Sequence, residues 1–547
     1  MLAVIAACFA WNYAAVFDKK MDQNGDNYYY LLLARSLSQG KGYVTDIGLA
    51  PEPHTHFPPG YPAFLSLFLR TFPENIVALK VINGLLLLAA LFLLFRIVRK
   101  TAGKQGLWIA FSSCLLCCFH PILLRWATIL MSEMLFIVIS LGMIALYVEL
   151  DMEKVRQKDI RHILRLVALC LLTVALYYVR TMGLALILAM SLSFLLLGMK
   201  YFFSRKKESR HWGMPLLAAF LILFSCGIAW EAWSLRNQRI APGTKSDYVG
   251  AFSAQSAEEK ADNPLAFRLQ RIGKNLNAFV PHYIPKALLM PKQADYNTIS
   301  LEKDQQWVLG ILVIVLMLVG MVFIKKLALL GLLYFMATFG VLLLYPPLLA
   351  DVRYFIPLIP LMLAFLVSGV CQVVLWLVHT FFKWDPAWLT PVLSLVIVLL
   401  LMPAYEKGIK SYHEKGSAET YGETGFSSYQ TYIDMCEKCA GYPSDWVFVA
   451  RKPEIFYVHS GYHHAIPMNR YDTPKEVMLY LVESRASGIL LDSLYPTTMD
   501  YYIPTIQAYY ELFSFLWKGT DPEAPGAIVS FNPVISGESV YEMLKKL

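Results

Sequence analysis

Residues 163–199, ILRLVALCLLTVALYYVRTMGLALILAMSLSFLLLGM, form an apolar run with basic clusters at both ends: Lys154, Arg156, Lys158 and Arg161 before it, Lys200, Arg205, Lys206, Lys207 and Arg210 after it. A helix rises 1.5 Å per residue, so about 20 residues cross the ~30 Å of hydrocarbon in a bilayer. The run is too long for one crossing, and a single long helix would carry one basic cluster to the wrong face. It predicts a helical hairpin with its turn at 178–181, which sets Arg180 at the end away from both clusters.

Further apolar runs lie near 1–17, 77–97, 107–124, 127–148, 213–232, 307–324, 327–345, 355–380 and 389–403. With the two arms of the hairpin they predict eleven crossings. The first is short and is also readable as a signal peptide, but no cationic segment precedes it; a retained helix is the preferred reading. Arg96, Arg99, Lys100 and Lys104, the two clusters already named, and Lys325 and Lys326 fall in alternate gaps and mark a cytoplasmic face. The intervening gaps hold only Arg125, Arg180 and Arg353. The expected topology is N-in and C-out, with 18–76, 233–306 and 405–547 outside the cytoplasm.

Composition agrees. The 547 residues are 57% hydrophobic and 16% charged, with mean hydropathy +0.48, more apolar surface than one soluble core would bury. The expected fold class is a polytopic α-helical membrane protein, 1–404, followed by a soluble α/β domain, 405–547. The net charge of +8 is spent on orienting helices, and nucleic-acid binding is excluded on that distribution. Beyond Pro403 apolar runs shorten; 446–450, 488–492 and 527–531 read as strands, 473–483 and 540–547 as helices. Seven of the nine cysteines lie in or beside apolar segments and behave as small hydrophobes. Cys436 and Cys439 form a C-x-x-C with no second pair at zinc spacing, which leaves a local disulfide or two idle thiols.

The loop 18–76 is too long for a connector. It opens with Asp18, Asp22 and Asp26, runs through a stretch with helical spacing at 28–38 suited to an interface, passes Gly40 and Gly42, and reaches His54, His56 and the Pro58-Pro59-Gly60-Tyr61-Pro62 segment. The prolines fix φ and Gly60 permits a sharp bend back toward the bundle. Asp26 reads as the reactive carboxylate of an enzyme at the membrane–water boundary, with Asp22 as competing base; a solvated loop acid or a helix N-cap is the plain alternative. Glu133, within an apolar run a turn or two from the outer end of its helix, needs a partner or water. Arg180 and Arg353 are cations for that role, unless they merely snorkel to the interface. His54 and His56 are weak candidates for polarising a substrate or holding a metal, and no metal site is read from them. Tyr28–Tyr30, Trp230 and Trp233 read as an interfacial belt before a sugar platform.

The order Asp26-x-x-Tyr29, Ala34, Leu37, Gly40-x-Gly42, Pro58-Pro59-Gly60-Tyr61-Pro62, then Ser132-Glu133-x-x-Phe136, Arg180, Trp233-x-x-Arg236-Asn237 and Arg353-Tyr354-x-x-Pro357, resembles the GT-C superfold glycosyltransferases, the group of protein O-mannosyltransferases and lipid A aminoarabinose transferases, in its bacterial branch. The resemblance implies inverting transfer of a sugar from a polyprenyl-phosphate donor to a hydroxyl of a lipid, glycan or protein acceptor, outside the bacterial inner membrane. It implies Asp26 as general base with Glu133 supporting the site, and Arg180, Arg353, Tyr354, Arg236, Tyr29, His56 and Tyr61 toward substrate. The leaving group is already a phosphate, so its departure needs cations and not a proton. No cofactor is implied, and a role for a divalent cation stays open. One departure is that Asn27, not an acid, follows Asp26, which disfavours a protein acceptor. The alternative is a transporter or flippase of lipid-linked sugars; the repeated halves and matched broken helices of such a protein are not visible. The C-terminal domain reads as an acceptor-docking or lid domain.

Overall fold

The computed structural model describes the chain except residues 23–24, 204–211, 243–263, 290–306, 348–351, 384–386, 420–428, 495, 521, 523–524, 533, 536–537 and 540–547. The expected helix at 540–547, most of the second outer loop and the basic cluster at 205–210 lie outside the described residues. The chain divides into two compact units: Met1–Phe17, Thr55–Tyr61 and Val77–Glu414 form the first, and Asp18–His54, Pro62–Ile76 and Lys415–Leu547 the second.

The first unit is a helical bundle. Among the described residues six helices are long and apolar enough to cross a membrane: Ile76–Thr101, Ile160–Val179, Thr181–Phe203, Gly213–Ile240, Val352–Phe382 and Ala387–His413. A seventh span is available if the bent pair Gly103–Phe119 and Pro121–Ala127 counts as one. Apolar side chains such as Leu171 and Leu400 remain on the outside, 66% and 73% exposed, as lipid-facing residues do, and the chain is an integral membrane protein. Every run expected to span falls on a helix, while helix length among the described residues accounts for six or seven of the eleven expected crossings. Leu2–Val16, Trp307–Phe323 and Ala328–Leu344 are shorter, and the run at 107–124 breaks by 62° because His120 is extended and Pro121 has no N–H to continue the ladder. The next helix starts only at Glu133, so Glu133 is its first residue and not a turn or two inside it. Pro403 does not end its helix either; Thr390–Glu419 runs through it.

The hairpin forms where the charge pattern demands it. Ile160–Val179 stops at Arg180, whose backbone is extended, and the turn Thr181–Gly183 leads into Leu184–Phe203. Gly60 sits against this turn: a Cβ there would stand 2.7 Å from the Tyr178 carbonyl. It begins the helix Gly60–Leu69, so its use is close approach more than bending. Gly320 and Gly369 do the same where Trp307–Phe323 meets Ile359–Phe382. A methyl on either would overlap a facing carbonyl, that of Phe365 or Leu316, the small-residue contact by which membrane helices pack.

The second unit is α/β. A short ladder pairs β1 (Val44–Thr45) with β2 (Glu52–Pro53). The main sheet contains β3 (Val447–Ala450), β4 (His464–Pro467), β5 (Gly488–Leu491), β6 (Phe513–Lys518) and β7 (Ala527–Phe531), in the order β4-β3-β5-β7-β6. The first three are parallel and the last two antiparallel. Parallel neighbours require crossovers, here the helices Pro453–His459 and Pro474–Glu483. The second starts with a capping box between Thr473 and Glu476. Val449, Val477, Leu481, Ile489 and Val529 fill the core. Cys436 and Cys439 are buried free thiols on the helix Tyr429–Cys439. Burial pushes the Cys439 thiol up to about 12 and the Cys436 thiol up as well, which keeps both unreactive.

The loop helix is Asp26–Ser38, two residues longer than its spacing predicts at the front. It does not present one open face as an interface helix would, since Tyr28, Tyr30, Leu31, Leu32, Leu33 and Ala34 are all buried. The loop also ties to the sheet domain through the Ala465 N–H, which donates to the Ile47 carbonyl at 2.9 Å.

Candidate functional site

Within the first unit the structure brings together Glu133, Arg180 and Arg353 from three separate segments. Glu133 opens the helix Glu133–Glu149 and has no exposed surface. Arg180, delivered by the hairpin turn, puts Nη1 2.5 Å from Glu133 Oε1 and donates to Ser132 Oγ at 3.3 Å. Arg353, in the 3₁₀ segment Val352–Leu358, sets Nε 3.8 Å from the same oxygen, with its guanidinium 5.7 Å from the Trp126 ring centre. A buried carboxylate is tolerable only with such partners. Both guanidinium groups therefore face the same carboxylate oxygen. A small cavity of about 10 Å³ beside them is lined by Phe136, Arg180, Met182, Tyr334 and Tyr354 among others. The Tyr354 hydroxyl donates to that of Tyr345 at 3.3 Å.

The other first-unit candidates are not part of this group. Arg236, near the end of Gly213–Ile240, donates to Asn237 Oδ1 at 3.0 Å and lies 5.1 Å from the Trp233 ring centre. Asn237 in turn donates to the Thr55 carbonyl at 3.1 Å, beside His56, whose ring packs edge-on to Phe57. Tyr61 is fully buried, its hydroxyl donating to Asn83 Oδ1 at 3.3 Å; in this position it serves the packing of the bundle.

Asp26 belongs to the second unit, where it is the first residue of the loop helix and partly buried. Asp22 is 2% exposed, and its carbonyl accepts from Asn27 Nδ2 at 2.8 Å. The Tyr29 ring lies 6.0 Å from that of His54. Burial, and then the carboxylates of Glu454, Asp26 and Glu52, raise the Tyr29 phenol well above its usual range. Sequence reasoning missed Glu454, the second residue of the crossover helix Pro453–His459, which offers no pattern by which its neighbours could be read. It also missed Arg35, which pairs with Glu74 at 2.9 Å and stacks 3.7 Å over the Tyr462 ring. A cavity of about 270 Å³ opens beside them, floored by Leu31, Leu32 and Val458. Among the described residues no group of three or more His, Cys, Asp or Glu side chains is placed to hold a metal ion.

No family model and no curated protein sequence matches the chain. Solved structures do. ArnT from Cupriavidus metallidurans, bound to undecaprenyl phosphate, aligns over 96% of this chain and 97% of its own at 10% identity, with a TM-score of 0.58. The oligosaccharyltransferase AglB from Archaeoglobus fulgidus, in complex with an inhibitory peptide and a dolichol-phosphate, aligns over 96% of this chain and 74% of its own at 11% identity, with a TM-score of 0.55. At these identities the likeness is one of architecture, and the chain has the GT-C fold of these membrane glycosyltransferases.

Proposed function

We propose that the protein is an inverting glycosyltransferase of the bacterial inner membrane, with its N-terminus cytoplasmic, moving a sugar from a polyprenyl-phosphate donor to a hydroxyl acceptor at the outer face. The observation that carries the reading is the cluster of Arg180 and Arg353 on the buried Glu133. Two guanidinium groups, fixed before substrate arrives, suit the phosphate of the carrier as the glycosidic bond breaks. The lipid carriers bound to ArnT and AglB support the same donor class. Tyr354 and Arg236 are assigned to donor contacts, and Tyr29 and His56 to the acceptor.

The general base is assigned to Asp26 on the sequence resemblance. In the step proposed, the acceptor oxygen bonds to the anomeric carbon while the bond from that carbon to the phosphate oxygen breaks. The acceptor proton passes to the Asp26 carboxylate, and the carrier leaves as polyprenyl phosphate. The test is purified protein supplied with a labelled undecaprenyl-phosphate-linked sugar and a mixture of envelope lipids and glycans. Release of free undecaprenyl phosphate is expected. Movement of intact donor across a proteoliposome membrane without release would make the protein a flippase instead.

A further inference from the structure

The loop helix Asp26–Ser38 carries a cavity on the face turned away from Asp26. Arg35 lies nine residues from Asp26, about two and a half turns, so the two side chains leave the helix on opposite sides. Tyr28, Leu31, Arg35 and Ser38 share the stripe away from Asp26 at helical spacing. At its front the Tyr28 hydroxyl and His459 Nε2 are 2.8 Å apart. Further on, Leu31, Arg35 and Ser38 line the cavity of about 270 Å³, and every residue lining it belongs to the second unit. Its size is near the lower end of the ~300–1,000 Å³ usual for ligand pockets. The lining is divided: Leu31, Leu32, Leu69, Ile76 and Val458 are apolar, while Arg35 and Arg70 are cationic. Arg35 is held in place, with Nη2 2.9 Å from Glu74 Oε1 and its guanidinium 3.7 Å over the Tyr462 ring. Glu74 and Tyr462 both keep left-handed backbone, at φ 57° and 72°, strain of the kind found at ligand clamps. The Glu74 side chain is 58% exposed, so its pair with Arg35 is a weak one. A guanidinium has five N–H donors, and this one keeps donors for an anion. Arg70 is exposed and has no ion-pair partner among the described residues. Ile76 is also the first residue of the spanning helix Ile76–Thr101, and Leu67 and Phe72, close by in the chain, are 59% and 44% exposed. The cavity therefore lies at the level where a span meets the bilayer surface.

We propose that this cavity binds an anionic phospholipid of the surrounding leaflet, with its phosphate on Arg35 and Arg70 and its first methylenes against Leu31, Leu32 and Leu69. Planar guanidinium groups match phosphate oxygens bidentately. The apolar floor selects a lipid over a free anion, and the place at the start of a span gives access from the bilayer. A headgroup there is turned away from the face carrying Asp26, so this lipid is neither donor nor acceptor; it fastens the loop helix from behind. The site stands without the transferase reading, and only a consequence for turnover would rest on Asp26 as base.

The experiment reads binding by native mass spectrometry of full-length protein in detergent, with phosphatidylglycerol, undecaprenyl phosphate or inorganic phosphate as the probe. Hydrogen exchange over residues 26–38 is read in phosphatidylcholine nanodiscs with and without phosphatidylglycerol. The variants are Arg35→Gln, Arg70→Gln and, as a charge control outside the cavity, Lys475→Gln. Phosphatidylglycerol is expected to bind the native protein and Lys475→Gln alike. It should bind Arg35→Gln and Arg70→Gln about tenfold more weakly, the effect of losing a hydrogen bond to a charged group. Added phosphatidylglycerol should slow exchange at 26–38 in the native protein and not in the two arginine variants. Arg70→Gln decides the matter if Arg35→Gln does not fold, because Arg70 makes no ion pair among the described residues. Native binding in both arginine variants would overturn the proposal. Inorganic phosphate binding as tightly as phosphatidylglycerol would overturn it by making the cavity a plain anion site. Preferential retention of undecaprenyl phosphate, lost in the same variants, would overturn it by giving the cavity to the carrier. Binding lost in the variants with exchange indifferent to the lipid would overturn the fastening of the loop helix.

Discussion

Glu133 has no exposed surface and answers to two arginines, so its removal and theirs are not equivalent. Glu133→Gln leaves Arg180 and Arg353 facing each other across a buried site. The expected loss is about 3–5 kcal/mol, the usual cost of leaving one half of a buried ion pair, read as a drop in the thermal midpoint in detergent. Arg180→Lys keeps the charge but loses the planar fork; it should weaken binding of undecaprenyl phosphate about tenfold with little change in midpoint. Asp26→Asn should lower turnover by about 10²–10⁴-fold, the range typical of a lost general base, with carrier affinity intact. His459 gives a pH signature. Burial lowers its pKa from the ordinary 6.5, so the unfolded chain takes up a proton first as the solution is acidified. The stability tied to a neutral His459 is therefore present above about pH 6.5 and is lost as pH falls from there through the lower folded-state value. Denaturant midpoints of the native protein should fall between pH 7.5 and 5.5, and His459→Gln should flatten that slope; an equal slope in the variant would assign the effect elsewhere.

Helices and strands differ in how far the sequence discloses them. The hairpin at Arg180 was legible because two apolar runs and two basic clusters admit one arrangement, and β3, β5 and β7 because buried strands read as continuous apolar runs. β4 was hidden by its histidine and proline, and β6 by its place at the sheet edge, where burial imposes no pattern. The break at His120–Pro121 was written in the proline, yet average hydropathy carried across it. Of the candidate site, Glu133, Arg180 and Arg353 stood out as charges in apolar surroundings. Glu454 did not, because its neighbour Tyr29 is remote in the chain and no pattern in either segment points to the other. Element packing makes its own prediction: Gly320→Val or Gly369→Val should destabilise the bundle by at least about 1–3 kcal/mol, the usual cost of overpacking, seen as a lower midpoint or as aggregation on size-exclusion chromatography. Thr473→Ala, which removes the capping box, should cost the sheet domain about 1 kcal/mol.

The second unit is assembled from three stretches of chain, so truncation reaches further than the missing residues. Deleting 415–547 removes His459 from Tyr28, Tyr462 from Arg35 and the Ala465 amide from Ile47. Limited proteolysis should then cut within 18–54, while Ile160–Val179 and Leu184–Phe203 stay protected; an equally resistant loop would show that it folds by itself. Tyr28 and His459 are 431 positions apart. At a ribosomal pace of about 5–20 residues per second, that interval lasts roughly 20 to 90 s. During that time the loop helix has been made and its counterpart has not. The helices of the bundle are thus made before the partner against which Tyr28 packs, so the segment bearing Asp26 is a late-settling part of the fold.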